Sequence, residues 1–97
     1  MRVISKKALH LFAVSNAQAN DALNEWYLKT TATYWHSFSD IKQTFNSVDY
    51  VGNDRYVFNV KGNQYRIVAM IHFRIHMVYI RFVGTHAEYD KIDASTI

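Results

Sequence analysis

From Arg55 onward, apolar and polar side chains alternate with the period of two that marks β-strands. The pattern predicts strands at about Arg55 to Val60, Tyr65 to Phe73 and Met77 to Val83. Gly62-Asn63 falls between the first two, where residues that tolerate positive φ suit a hairpin turn. Centring the turn there pairs Asn59 with Arg66 and Val57 with Val68. A two-residue turn at Arg74-Ile75 pairs His72 with Met77 and Val68 with Arg81. One face then holds Tyr56, Phe58, Val60, Tyr65, Ile67, Ala69, Ile71, Phe73, Val78, Ile80 and Phe82. The other carries Arg55, Asn59, Lys61, Gln64, Arg66, His72, Tyr79 and Arg81 among Val57, Val68, Met70, Met77 and Val83. A three-residue turn would bury Arg81 among apolar side chains, at high cost.

The first half has a different period. Arg2 to Ile4 reads as an edge strand, and Ser5 as the cap of a helix through Ala13. Ser15-Asn16-Ala17-Gln18 fits a capping box opening a helix from about Ala17 to Thr31. Its apolar stripe contains Leu23 and Trp26, and both Trp26 and Trp35 read as core residues. Ser39-Asp40 starts a short helix through Phe45, and Asn46 to Asp49 is a polar loop. Thr85-His86-Ala87-Glu88 is a further capping box directly after the last strand. Glu88 is assigned to capping, and His86 and Tyr89 to the single helical turn that follows. Helices gathered against one face of a small sheet make an α+β fold, and 97 residues fit one domain spanning 1–97.

Composition narrows the chemistry. Without cysteine there is neither a disulfide nor a thiolate metal site. The five histidines fall into no metal motif, and there is no glycine-rich phosphate loop. No metal or other cofactor is expected. No membrane span or signal segment is evident, and the expected location is the cytoplasm. Net charge is +3, distributed unevenly. Residues 1–54 hold five basic and five acidic side chains, whereas residues 55–97 hold six and three. The excess lies in the hairpin half and favours an anionic partner.

The chemical candidates are Arg66, Arg81, His86 and Tyr89, with Lys61 beside them. Arginine can hold two phosphate oxygens, and histidine transfers protons near neutral pH. Such a set could cut a phosphodiester or simply grip an acidic partner, and the residues alone leave both open. The motifs Asn59-x-x-Gly62-Asn63-x-x-Arg66 and Thr85-His86-x-Glu88-Tyr89-Asp90 resemble the HigB family of toxins, in the RelE/ParE superfamily of toxin–antitoxin systems. The resemblance runs from Met1 to Lys91. It implies a RelE-like α+β fold, with helices on one face of a mainly antiparallel sheet. It also implies a ribonuclease that cuts mRNA by 2′-OH attack without metal, often in the ribosomal A site. Its partner would be a HigA-type helix-turn-helix antitoxin. Arg66 and Arg81 would then hold the phosphate, and His86 or Tyr89 would transfer protons. Asn59 and Lys61 would position RNA, and Arg55 and Lys91 join them as RNA-binding candidates. ParE-type relatives that bind gyrase, and a non-enzymatic RNA-binding module, are the alternatives.

Overall fold

The alternation from Arg55 to Thr85 builds the centre of a five-stranded sheet. In the computed structural model, which describes residues 1–97, the strand order is β1-β5-β4-β3-β2. The strands are β1 (Arg2–Ile4), β2 (Val48–Gly52), β3 (Arg55–Val60), β4 (Tyr65–His72) and β5 (Met77–Thr85). The helices are α1 (Lys6–Ser15), α2 (Asn20–Thr31), α3 (Phe38–Thr44) and α4 (His86–Tyr89). Only the β1–β5 pair is parallel. No helix is long and apolar enough to cross a membrane.

One sheet face packs against α1, α2 and α3 in a core of 17 buried residues. Phe58 lies at its aromatic centre, with ring centroids 5.3 Å from Trp26, 5.4 Å from Phe45 and 6.3 Å from Trp35. Both tryptophans are core residues, as expected. The β3–β4 hairpin has the predicted register, with Asn59 opposite Arg66 and Val57 opposite Val68.

The last strand departs from the expected pairing. His72 faces Met77 as predicted, but a bulge between Val68 and Ala69 shifts everything beyond it. Val68 therefore pairs with Phe82, not Arg81. The bulge answers a break in the alternation at Arg81-Phe82-Val83, where two apolar residues adjoin. Val83 joins the helix-side core, and Phe82 moves to the opposite face, reversing the predicted sides of both. The turn at the other end of this hairpin is a 3₁₀ segment, Phe73–Ile75, closed by His76 at φ 56°.

Four local expectations are corrected. The segment taken as a polar loop runs into β2, which pairs with β3 through a two-residue connection, Asn53-Asp54. Both of those residues have positive φ (51° and 62°), as a tight hairpin demands. Ser5 sits at φ 75° and makes no side-chain cap bond to α1. Ser15 ends α1 and caps nothing, since a 3₁₀ turn, Ala17–Ala19, leads into α2. α3 begins one residue before the expected start, with the Ser37 hydroxyl accepting from the Asp40 N–H.

The face away from the helices is not simply polar. Val57, Val68 and Ala94 form a second, three-residue core, with Val51, Phe82, Tyr89, Ile92 and Ile97 packed around it. The segment after α4 thus lies over part of this face. Asn53 Nδ2 donates to Ser95 O at 2.9 Å, and Arg55 donates from Nε and Nη2 to Ile97 O at 2.9 and 2.7 Å.

Candidate active site

Arg66 follows Tyr65 and precedes Ile67, both of which enter the helix-side core. Alternation therefore sends Arg66 to the second face. It is only 7% exposed. Nη1 donates to Asn63 O at 3.0 Å and Tyr65 O at 3.1 Å. The guanidinium carbon lies 5.9 Å from the Tyr89 ring centroid, within cation–π range. No carboxylate neutralises it: the ion pairs of the chain are Glu25–Lys29 and His86–Asp90. Burying a cation without a counter-charge is costly, so this position suits a site that receives an anion.

Gly84 stands opposite Arg66 on β5. A Cβ there would come within 2.3 Å of the Phe82 ring, so the bare glycine lets that ring fold down beside Arg66. The same ring lies 6.5 Å from Tyr89, centroid to centroid.

α4 begins where β5 ends because Thr85 and Glu88 form the predicted capping box. Thr85 N–H donates to Glu88 Oε1 at 2.8 Å, and Glu88 N–H donates to Thr85 Oγ1 at 3.2 Å. Glu88 is thereby committed to structure. The His86 N–H also donates to Gln64 O at 3.1 Å, which ties the helix to the β3–β4 hairpin. The His86 side chain is half exposed, with Nδ1 3.0 Å from Asp90 Oδ2. Tyr89 is half-buried in the second core.

Arg81 is the extra residue of the β5 bulge and is exposed. It lies three residues before Gly84, about 10 Å along the strand, within reach of a shared polyanion.

A family model described as the RelE-like toxic component of a toxin–antitoxin system matches residues 19–92. The chain belongs to the HigB toxin family. It is 38% identical over 97 residues to the mRNA interferase toxin HigB of Escherichia coli, with 97% of this chain and 92% of that protein covered. The same figures hold for the mRNA interferase HigB of Shigella flexneri. An mRNA interferase HigB from another Escherichia coli strain is 29% identical over 94 residues, covering 95% of this chain and 91% of the relative. The family match spans Arg66, Arg81, His86 and Tyr89.

In this member of the HigB family the other predicted residues are spread more widely. Asn59 sits beside Arg66 in register, and its Nδ2 donates to Ser47 Oγ. Lys61 turns toward the helix side, where Nζ donates to Gln18 O at 3.1 Å. Asn59 and Lys61 line a groove of about 340 Å³ between α2 and β3, together with Trp26, Lys29 and Phe45. Arg55 is held by Ile97 O, away from Arg66. Lys91 is exposed just beyond α4. No three His, Asp or Glu side chains gather as a metal site would require. Asp90 was read from the sequence only as part of the Thr85-to-Asp90 motif and given no role, and the structure sets its carboxylate against His86. Its signal was the i, i+4 spacing from His86 across a capped turn.

Proposed function

We propose that this toxin is an endoribonuclease that cleaves mRNA by attack of a 2′-OH on the adjacent phosphorus. The observation that carries the reading is Arg66, a buried cation with no carboxylate partner, set beside the turn that carries His86. The relatives named mRNA interferases supply the substrate class.

In this reading Arg66 and Arg81 bind the scissile phosphate and stabilise the charge that grows on its oxygens. His86 takes the proton of the 2′-OH as that oxygen bonds to phosphorus. The bond from phosphorus to the 5′-oxygen breaks, and that oxygen gains a proton. Tyr89, against Arg66, is the donor candidate for this second transfer. The nucleophile belongs to the RNA, so no metal-activated water is needed. Asn59, Lys61, Arg55 and Lys91 contribute contacts to flanking RNA. The physiological setting is mRNA in the ribosomal A site, and the neutralising partner is a HigA-type helix-turn-helix antitoxin.

End-group analysis of cleaved mRNA tests this. The expected products are a 2′,3′-cyclic phosphate, or its opened form, and a 5′-OH. A 5′-phosphate on the downstream fragment would rule out 2′-OH attack. Tyr89→Phe should slow cleavage by about 10²-fold or more if the hydroxyl is the acid, and leave it nearly unchanged if only the ring matters. Expression without antitoxin should arrest translation. DNA damage in place of that arrest would mark a gyrase-binding toxin, and RNA retention without cleavage would mark a binding module.

A further inference from the structure

The Asp90 carboxylate is paired with the imidazole of His86, Oδ2 lying 3.0 Å from Nδ1. The contact joins the first residue of α4 to the residue that closes it, an i, i+4 pair on one side of the turn. We infer that Asp90 is a positioning residue for His86, holding Nδ1–H so that Nε2 is the nitrogen that exchanges a proton with the substrate. The inference rests on the ribonuclease reading above and deepens it.

The chemistry follows from what each group can donate. An ionised carboxylate only accepts hydrogen bonds, so the proton between the pair belongs to Nδ1. A neutral imidazole protonated at Nδ1 carries its free lone pair on Nε2. That nitrogen takes the 2′-OH proton while the O2′–P bond forms and the P–O5′ bond breaks. The imidazolium is then stabilised by the carboxylate, which stays ionised throughout.

The backbone keeps this spacing from slipping. His86 N–H is bonded to Gln64 O at 3.1 Å, and Asp90 N–H to His86 O at 3.0 Å. Both ends of the turn are thus fixed, one of them to the hairpin that carries Arg66. The charged groups nearby on the packed elements are Arg66 of β4 and Arg81 of β5, with Lys91 following Asp90. Glu88, on α4 itself, is turned back to the Thr85 N–H. Asp90 is therefore the one anion in contact with the ring. The pairing also separates the two proton-transfer candidates: His86 is oriented and open to solvent, whereas Tyr89 is packed against Arg66 and Phe82.

The test is single-turnover cleavage of an mRNA oligonucleotide across about pH 5 to 8 by the full chain and its variants. The variants are Asp90→Ala, Asp90→Asn, His86→Ala and the His86→Ala/Asp90→Ala pair. Asp90→Ala should lower the saturating single-turnover rate constant by about 10- to 100-fold, with the half-saturating enzyme concentration nearly unchanged. Asp90→Asn keeps an acceptor for Nδ1–H and should retain more activity at its optimum. The double variant should be no slower than His86→Ala alone, since the two act as a unit. Thermal melting shows whether each variant folds, and if Asp90→Ala does not, the isosteric Asp90→Asn decides by its rate. A wild-type rate in Asp90→Ala, or additive losses in the double variant, would overturn the inference. Arg66→Ala separates the two levels: if it cleaves at full rate the ribonuclease site is wrong, and if only it is impaired the pairing alone fails.

Discussion

The two faces of the sheet are held by different means. The helix-covered face buries 17 apolar residues in one cluster and places three aromatic rings around Phe58. The opposite face buries only Val57, Val68 and Ala94 in its own cluster, yet it also buries the cation Arg66. The first face supplies stability through area and packing density. The second gives up part of its area to a charge and to a short helical turn. The contrast teaches that a domain this small can concentrate apolar burial on one side of a sheet and leave the other to hold an unpaired cation.

Substitutions on the two faces should therefore fail differently. Phe58→Ala should cost about 3–5 kcal/mol, a large share of the roughly 5–15 kcal/mol that stabilises a small domain. Denaturant unfolding should show the loss, and cleavage should disappear with the fold. Equal stability to wild type would mean the aromatic cluster is not what holds the helix side together.

Arg66→Ala should lower the cleavage rate by about 10²–10³ while the melting transition persists. Arg81→Ala should act in the same direction without altering stability, since the side chain is exposed. Full activity in the double variant would move the chemistry elsewhere on the molecule. Loss of folding in Arg66→Ala would erase the division between the faces.

Gly84→Ala probes the junction between stability and site. The added methyl meets the Phe82 ring, which must leave its place beside Tyr89. The expected cost is about 1–3 kcal/mol, measured by denaturation, with an accompanying loss of cleavage. A smaller stability loss than for Phe58→Ala, with a disproportionate effect on rate, would sharpen the comparison. Unchanged stability and rate would show that the ring relocates freely.

The smallest effect concerns the segment covering the second face. The Ser95 hydroxyl and then its N–H hold the Asp93 carboxyl below the usual 3.8. A depressed carboxyl contributes its stabilisation above the unfolded value and loses it as pH falls through the folded one. Acidifying below 3.8 should loosen the turn at Asp93–Ser95 before the helix side responds. Amide exchange at Ala94 against that at Phe58 would read the difference. Simultaneous loss of protection at both would mean the two cores open as one unit.

What the sequence revealed follows the same division. On the helix side, alternation alone placed ten of the eleven residues named for that face, Phe82 being the exception. Period-two reading works there because every second side chain has the same destination. At Arg81-Phe82-Val83 the two consecutive apolar residues had two destinations, and only a bulge satisfies both. β2 was hidden because Asp49 and Tyr50 are exposed on an edge strand, although Gly52-Asn53-Asp54 carried a hairpin signal. Ser5 and Ser15 misled because a cap needs the right backbone as well as the right side chain. Arg66, His86 and Tyr89 were legible as neighbours because one hairpin and one capping box bring them together. The covering role of Ile92 to Ile97 was not, since it depends on tertiary contact with Val57 and Val68 and leaves no period in the chain.

The order of strands has a consequence for how the molecule comes into being. β1 precedes the other four strands in sequence, yet its only partner is β5, where Arg2 pairs with Met77. A growing chain can form α1, α2 and the β2–β3–β4 meander, but β1 cannot join the sheet until residues 77–85 have been added. The turn bearing His86 and Asp90 comes after that. Such long-range closure is slow compared with local folding. In a protein proposed to attack translation, it keeps the proposed site from assembling before residues 77–90 have been added.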